Sequence, residues 1–134
     1  MEQVPCTSYG VGVDMPQNIE MRLYIDDFFN DVQQLCQEEA RAAWKNSQIA
    51  IVMLKKDEVI GALRGLTDEN ITTYISEILI RKDMRGKGLG KFLLEACHLL
   101  YPRTRIDLMS SESADDFYRS NSFREINGFR KSYV

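Results

Sequence analysis

One histidine and three widely spaced cysteines, with no Cys-x-x-Cys pair, leave this chain too few ligands for a thiolate–imidazole metal site, and none is expected. Cys6, Cys36 and Cys97 are odd in number and read as reduced thiols of a cytoplasmic protein. Cys36 and Cys97 fall on helix faces that suit buried, inert sulfur. No apolar run approaches the ~20 residues of a membrane span, and the opening MEQVPCTSYG lacks the basic and apolar regions of a secretion signal. Positive charge is not in excess either: 17 Lys and Arg against 20 Asp and Glu give −3, which argues against a nucleic-acid partner. Repeats and low-complexity segments are absent. What is present is 134 residues, 44% of them hydrophobic, enough for one domain with a core over 1–134.

The most informative stretch is RKDMRGKGLGKFLLEACHLL, Arg81 to Leu100, with the β-branched and aromatic strand Thr73 to Ile80 before it. Leu89, Phe92, Leu93, Ala96, Cys97 and Leu100 recur at helical spacing, so a strand passes through a glycine loop into an amphipathic helix. Glycines let successive backbone N–H groups converge, and the helix start adds partial positive charge, which together make a phosphate cradle. Arg81, Lys82, Arg85, Lys87 and Lys91 against Asp83 give +4 within a chain of −3, so all other residues sum to −7. A cationic island of that kind suits a ligand with several negative charges. The spacing G-x-G-x-G is not the G-x-G-x-x-G of a dinucleotide fold, and no Ser or Thr follows Lys91 as a P-loop requires.

The rest of the chain alternates elements in a readable order. Tyr9–Val13 is a short strand at most, within a segment 1–18 that gives little signal. Ile19, Met21, Leu23 and Ile25 alternate as one face of a strand. Asp26 or Asp27 is positioned to cap one helix whose buried face is Phe28, Phe29, Val32, Leu35, Cys36, Ala40, Ala43 and Trp44. Strands over 48–54 and 59–64, joined at Lys55–Glu58, continue through the turn at Thr67–Asn70 into the strand ending at Ile80, as an antiparallel meander. Pro102 blocks continuation of the second helix, and Arg105–Met109 is a fifth strand, parallel to the one before that helix. Ser110–Ser113 caps a short helix over 114–121. Asn127-Gly128 predicts a terminal hairpin of 123–126 with 129–134, a strand that would also offer a homodimer contact.

Two motifs in this order carry a resemblance. Arg85-x-x-Gly88-x-Gly90 after Ile78-Leu79-Ile80 resembles the acetyl-CoA signature R-x-x-G-x-G of the GNAT superfamily of N-acetyltransferases. Ala114-x-x-Phe117-Tyr118 with Phe123 is similar to that family's A-x-x-F-Y-x-x-x-G-F. The resemblance covers about 19–134. It implies an α/β fold with a mainly antiparallel mixed sheet flanked by helices, one βαβ crossover at the CoA site, and acetyl-CoA as co-substrate. The chain departs from the family in three places. It has room for about one helix where two are usual, Ser122 stands where Gly is common, and Ser110, Ser111 and Ser113 replace an Asn after the fifth strand.

The implied activity is acetyl transfer to a primary amine, with the amine and acetyl-CoA bound side by side in a ternary complex. Amides of Ile78, Leu79 and Ile80 would meet the pantetheine arm, one of them polarising the thioester carbonyl. Arg85, Gly86, Lys87, Gly88, Leu89, Gly90 and Lys91 would hold the pyrophosphate. Tyr118 is implied as the acid that protonates the leaving sulfur; alternatively, Phe117-Tyr118 simply packs the short helix. Glu77, an acid inside an apolar strand where burial favours proton uptake, is the candidate base. A one-residue change of strand phase would instead turn it to solvent. Ile75, Leu79 and Met109 would set the acyl length accepted. Eight acids and one base in residues 1–40 form a solvated face or attract a cationic acceptor. A small-molecule amine is the first acceptor class, with no membrane involved. A protein N-terminus or lysine is the second, and a non-catalytic acyl-CoA-binding domain the competing reading.

Overall fold

A computed structural model describes residues 15–36 and 40–133; the expected strand at Tyr9–Val13 and the thiol of Cys6 lie outside the described residues. Five strands form one sheet in chain order: β1 (Ile19–Leu23), β2 (Ile49–Lys55), β3 (Glu58–Thr67), β4 (Thr72–Ile80) and β5 (Arg105–Leu108). The first four are antiparallel neighbours. β5 runs parallel to β4 after the crossover helix α3 (Gly90–Leu100), as the sequence order predicts.

The sheet is covered on both faces, which explains the unbroken apolar run of β2. Ile49, Ile51 and Met53 join Leu89, Phe92, Leu93, Ala96 and Cys97 under α3. Ala50, Val52 and Leu54 face the other way, onto α1 (Phe29–Gln33) and α2 (Arg41–Asn46), through Phe29, Val32 and Trp44. Phe92 and Leu93 are almost wholly buried, a contribution of ~1.5–3 kcal/mol each. Trp44 is core, as expected, at 1% exposure.

Among the described residues between β1 and β2, two short α-helices stand where one helix was expected. Neither Asp26 nor Asp27 caps them: no side-chain cap bond forms, and Asp26 instead pairs with Arg41 at 3.1 Å. Lys56 and Asp57 both take positive φ in the β2–β3 turn, the geometry of a type I′ hairpin without its usual glycine. At the β3–β4 turn the Asp68 carboxylate accepts the amides of Asn70, Ile71 and Thr72 at 2.7–3.0 Å. Those bonds hold its carboxyl below the ordinary aspartate range.

The terminal hairpin does not form. Neither Asn127 nor Gly128 takes the positive φ that a type I′ turn demands, and 123–133 carries no strand. The segment instead returns to Met109, with Arg130 Nη2 3.7 Å from its sulfur, and leaves Phe129 exposed.

Candidate active site

The site is a consequence of two parallel strands that part. β5 pairs with β4 only from Thr72 to Ile75, so the β4 edge from Ser76 to Ile80 has no partner on that side. A cleft of about 720 Å³ opens there. Its walls are Ile75 to Ile80 on one side and Leu108, Met109, Ser111 and Ser113 on the other. The glycine loop closes one end, and Phe117 and Tyr118 of α4 (Asp115–Ser120) face it.

At the loop, Gly86 and Gly88 adopt φ of +76° and +74°, where side chains are strained. The amides of Gly86, Lys87, Gly88 and Leu89 donate to no backbone acceptor among the described residues. Adjacent free donors before a helix N-terminus fit a pyrophosphate. Gly90 serves a different purpose: a Cβ there would meet Phe117 Cζ at 2.8 Å.

The cationic island is smaller than its sequence count. Arg81 is paired with Asp83 at 2.7 Å and with Glu58 at 3.3 Å. Arg85 borders the cleft, and its Nε donates to the Ile80 carbonyl at 2.9 Å, tying the loop to the end of β4. Gly86, Gly88, Leu89 and Gly90 line the cleft, whereas Lys87 and Lys91 do not; the Lys91 ammonium sits 5.6 Å from the Phe92 ring centre.

Tyr118 is 9% exposed and borders the cleft. Its ring packs edge-on against Phe117 and Phe123 at 5.1 and 5.5 Å. Packing and cleft exposure therefore coexist at this residue. Burial raises its phenol above the ordinary 10.0, so the hydroxyl stays protonated through the neutral range. No Ser of 110–113 caps α4 by a side-chain bond; Ser110 Oγ instead contacts the Asp115 carboxylate.

Glu77 borders the same cleft, but it is not an acid alone among apolar residues. Arg64 of β3 stands directly opposite, Nη2 3.6 Å from Oε1, and Cys36 Sγ lies 3.8 Å from Oε2. Its facing is set by a bulge. Arg64 pairs with Glu77 and Gly65 with Ile75, leaving Ser76 as an extra residue in β4. That residue breaks the two-residue alternation, so Ile75 packs under α3 while Leu79 joins the opposite cluster. The sequence reading missed Ser76, Arg64 and Cys36 as neighbours of Glu77, and Phe117 as the neighbour of Gly90. Of these, only the opposite charges of Arg64 and Glu77 on successive strands were visible as a signal.

Residues 16–132 match a family model described as an acetyltransferase (GNAT) domain. Solved structures agree in fold. A GNAT-family acetyltransferase from Streptococcus pneumoniae superposes with TM-score 0.72 at 17% identity, over 85% of this chain and 96% of that one. An acetyltransferase from Trypanosoma brucei gives 0.68 at 15%, over 87% and 99%. An aminoglycoside acetyltransferase from an uncultured soil metagenomic sample, in complex with trehalose, gives 0.70 at 15%, over 90% and 100%. No curated protein matches in sequence.

Proposed function

The chain belongs to the GNAT acetyltransferases, and from that premise we propose that it moves the acetyl group of acetyl-CoA to a primary amine of a small molecule within a ternary complex. The general activity, an acetyl-CoA-dependent acyltransfer, comes with the family; the acceptor and the residue roles are this proposal. The observation that carries it is the meeting of three features in one cleft: a donor-rich loop at its end, an unpaired strand edge along its wall, and Glu77 with Tyr118 bordering it.

When bound, acetyl-CoA supplies an activated thioester. The free amides from Gly86 to Leu89 and the start of α3 hold its pyrophosphate, with Gly90, Lys91 and the Arg85 guanidinium beside them. The unpaired β4 edge from Ile78 to Ile80 pairs with the pantetheine amides as a short extra strand would. An N–H of Leu79 or Ile80 polarises the carbonyl. An alkyl ammonium, with a pKa near ~10.4, must lose a proton before it can attack. Glu77 takes that proton, directly or through water, and the protonated Tyr118 hydroxyl delivers one to the departing sulfur. Met109, Leu79 and Ile75, all bordering the cleft, limit the acyl group.

The excess of acids over bases in the sequence of residues 1–40 favours a cationic acceptor. The described thiols, Cys36 and Cys97, are free, which suits work in a reducing cytoplasm. Among the described residues no helix is long and apolar enough to cross a membrane.

Calorimetric titration with acetyl-CoA tests the cradle, and a screen of thiol release with spermidine, kanamycin, a lysine peptide and a free N-terminal peptide tests the acceptor. Binding that is lost in Arg85→Ala with Gly88→Asp, with turnover on spermidine or kanamycin, supports the proposal. Turnover on the peptides alone replaces it with protein acetylation. Binding without any turnover replaces it with a regulatory acyl-CoA sensor.

A further inference from the structure

The carboxylate of Glu77 reaches the cleft, yet its partners stand behind it. Arg64 and Cys36 do not border the cleft. Each meets a different oxygen: the guanidinium at Oε1, 3.6 Å away, and the thiol at Oε2, 3.8 Å away. A carboxylate has about four lone-pair directions, and neither of these contacts comes from the cleft side, so acceptor directions remain for the cleft. The Ser76 bulge makes this possible, because regular alternation would turn Glu77 to the Ile75 face, under α3.

The direction of the thiol's proton is also set. Burial first, and the Glu77 carboxylate second, keep Cys36 above its ordinary range, so the sulfur remains S–H. The sulfur therefore acts as donor toward Glu77, 3.8 Å from Oε2. The indole N–H of Trp44 is buried and has no hydrogen-bond acceptor among the described residues. Arg64 is held in turn by Ser47, whose hydroxyl oxygen lies 3.4 Å from its Nη1.

We infer that Cys36 and Arg64 are positioning residues that fix the Glu77 carboxylate in the rotamer presented to the cleft. The inference rests on the reading of Glu77 as the base. Neither residue touches substrate, so their removal acts on kcat through Glu77 and leaves the CoA cradle intact.

The test is a set of double-mutant cycles. Cys36→Ala, Cys36→Ser, Arg64→Gln and Arg64→Lys are each made in the wild-type and Glu77→Gln backgrounds. They are assayed with acetyl-CoA and whichever amine of the screen above releases thiol fastest, with thermal melts alongside. Cys36→Ala and Arg64→Gln should lower kcat by about tenfold, a part of the 10²–10⁴ a positioned base supplies, with KM for acetyl-CoA changed less than about twofold. Cys36→Ser, which keeps a donor, should recover most of the loss, and in the Glu77→Gln background neither change should cost more. Equal losses in both backgrounds, or no rescue by serine, would overturn the positioning role while leaving Glu77 as base. Full turnover by Glu77→Gln alone would instead remove the base, and the positioning role with it. Should Arg64→Gln fail to fold, Arg64→Lys and the Cys36 pair complete the cycles.

Discussion

The ring of Phe117 lies against Gly90, close enough that a methyl group on that glycine would meet its Cζ at 2.8 Å. One residue begins the crossover helix and the other stands on α4, next to Tyr118. The contact therefore joins the glycine loop to the segment that carries the proposed acid, and the absence of a side chain at Gly90 sets their spacing.

Gly90→Ala tests that spacing. Alanine at a helix start is favourable by up to ~1 kcal/mol, so stability should hardly fall. Phe117 must move, and α4 with it. A misplacement of about 1 Å in an active site can cost up to about a hundredfold, and a drop in kcat of about tenfold or more is expected. Pairing the change with Phe117→Leu should return part of it. Unchanged kcat in Gly90→Ala would show that the contact does not place α4.

Tyr118→Phe removes the hydroxyl and keeps the packing on Phe117 and Phe123. A general acid is worth 10²–10⁴, so kcat should fall at least about a hundredfold while acetyl-CoA affinity, read by calorimetry, stays within about twofold. The phenol is raised above 10.0 by burial, so the acid form is present at all lower pH and is lost only as pH climbs through the raised value. Wild-type turnover should show that alkaline limb above pH 10, and the variant should lack it. Full turnover by the variant would return Tyr118 to a packing role alone.

How far the sequence goes is seen best at the two ends of the site. The loop was legible because Arg85-x-x-Gly88-x-Gly90 combines a backbone demand with a charge demand, and Gly88 takes a φ of +74°. The Ile49–Leu54 run was legible because both of its faces are buried. The surroundings of Glu77 were not, because a single extra residue, Ser76, changes the facing of everything after it without altering composition or pattern. Arg81 counted as free charge in the sequence although Asp83 and Glu58 neutralise it in space. The terminal hairpin failed for the opposite reason: Asn-Gly is a local preference, and 123–133 takes up no strand to complete it.

Ser122 explains one departure from the family pattern. It takes φ of +70°, in the left-handed region where an L side chain costs roughly 1–2 kcal/mol and glycine costs little. The glycine common at this position relieves that strain. Ser122→Gly should therefore raise stability by about 1 kcal/mol, less than the full strain because glycine also frees the unfolded chain. A denaturant midpoint that moved up with unchanged slope would confirm it. A midpoint that fell would mean the turn after α4 is held by something other than backbone geometry.

Cys97 allows a stability prediction with its sign worked out. The thiol is 1% exposed under the sheet, and burial pushes it from the ordinary 9.0 up to about 12. Its folded-state pKa is raised, so the folded protein holds the proton where the unfolded chain has lost it. That contribution is complete below pH 9 and disappears as pH rises toward 12. Over this window unfolding becomes easier by up to roughly 1 kcal/mol per pH unit from this group. Lysines and tyrosines also titrate there, so the wild type is compared with Cys97→Ala, which starts less stable because a small cavity replaces the sulfur. The variant's stability should decline less steeply between pH 9 and 11 in urea melts. Parallel declines would show that Cys97 does not remain neutral in the folded core. In the native state the same burial should leave Cys97 unlabelled by a thiol reagent at pH 8 that labels it fully in urea.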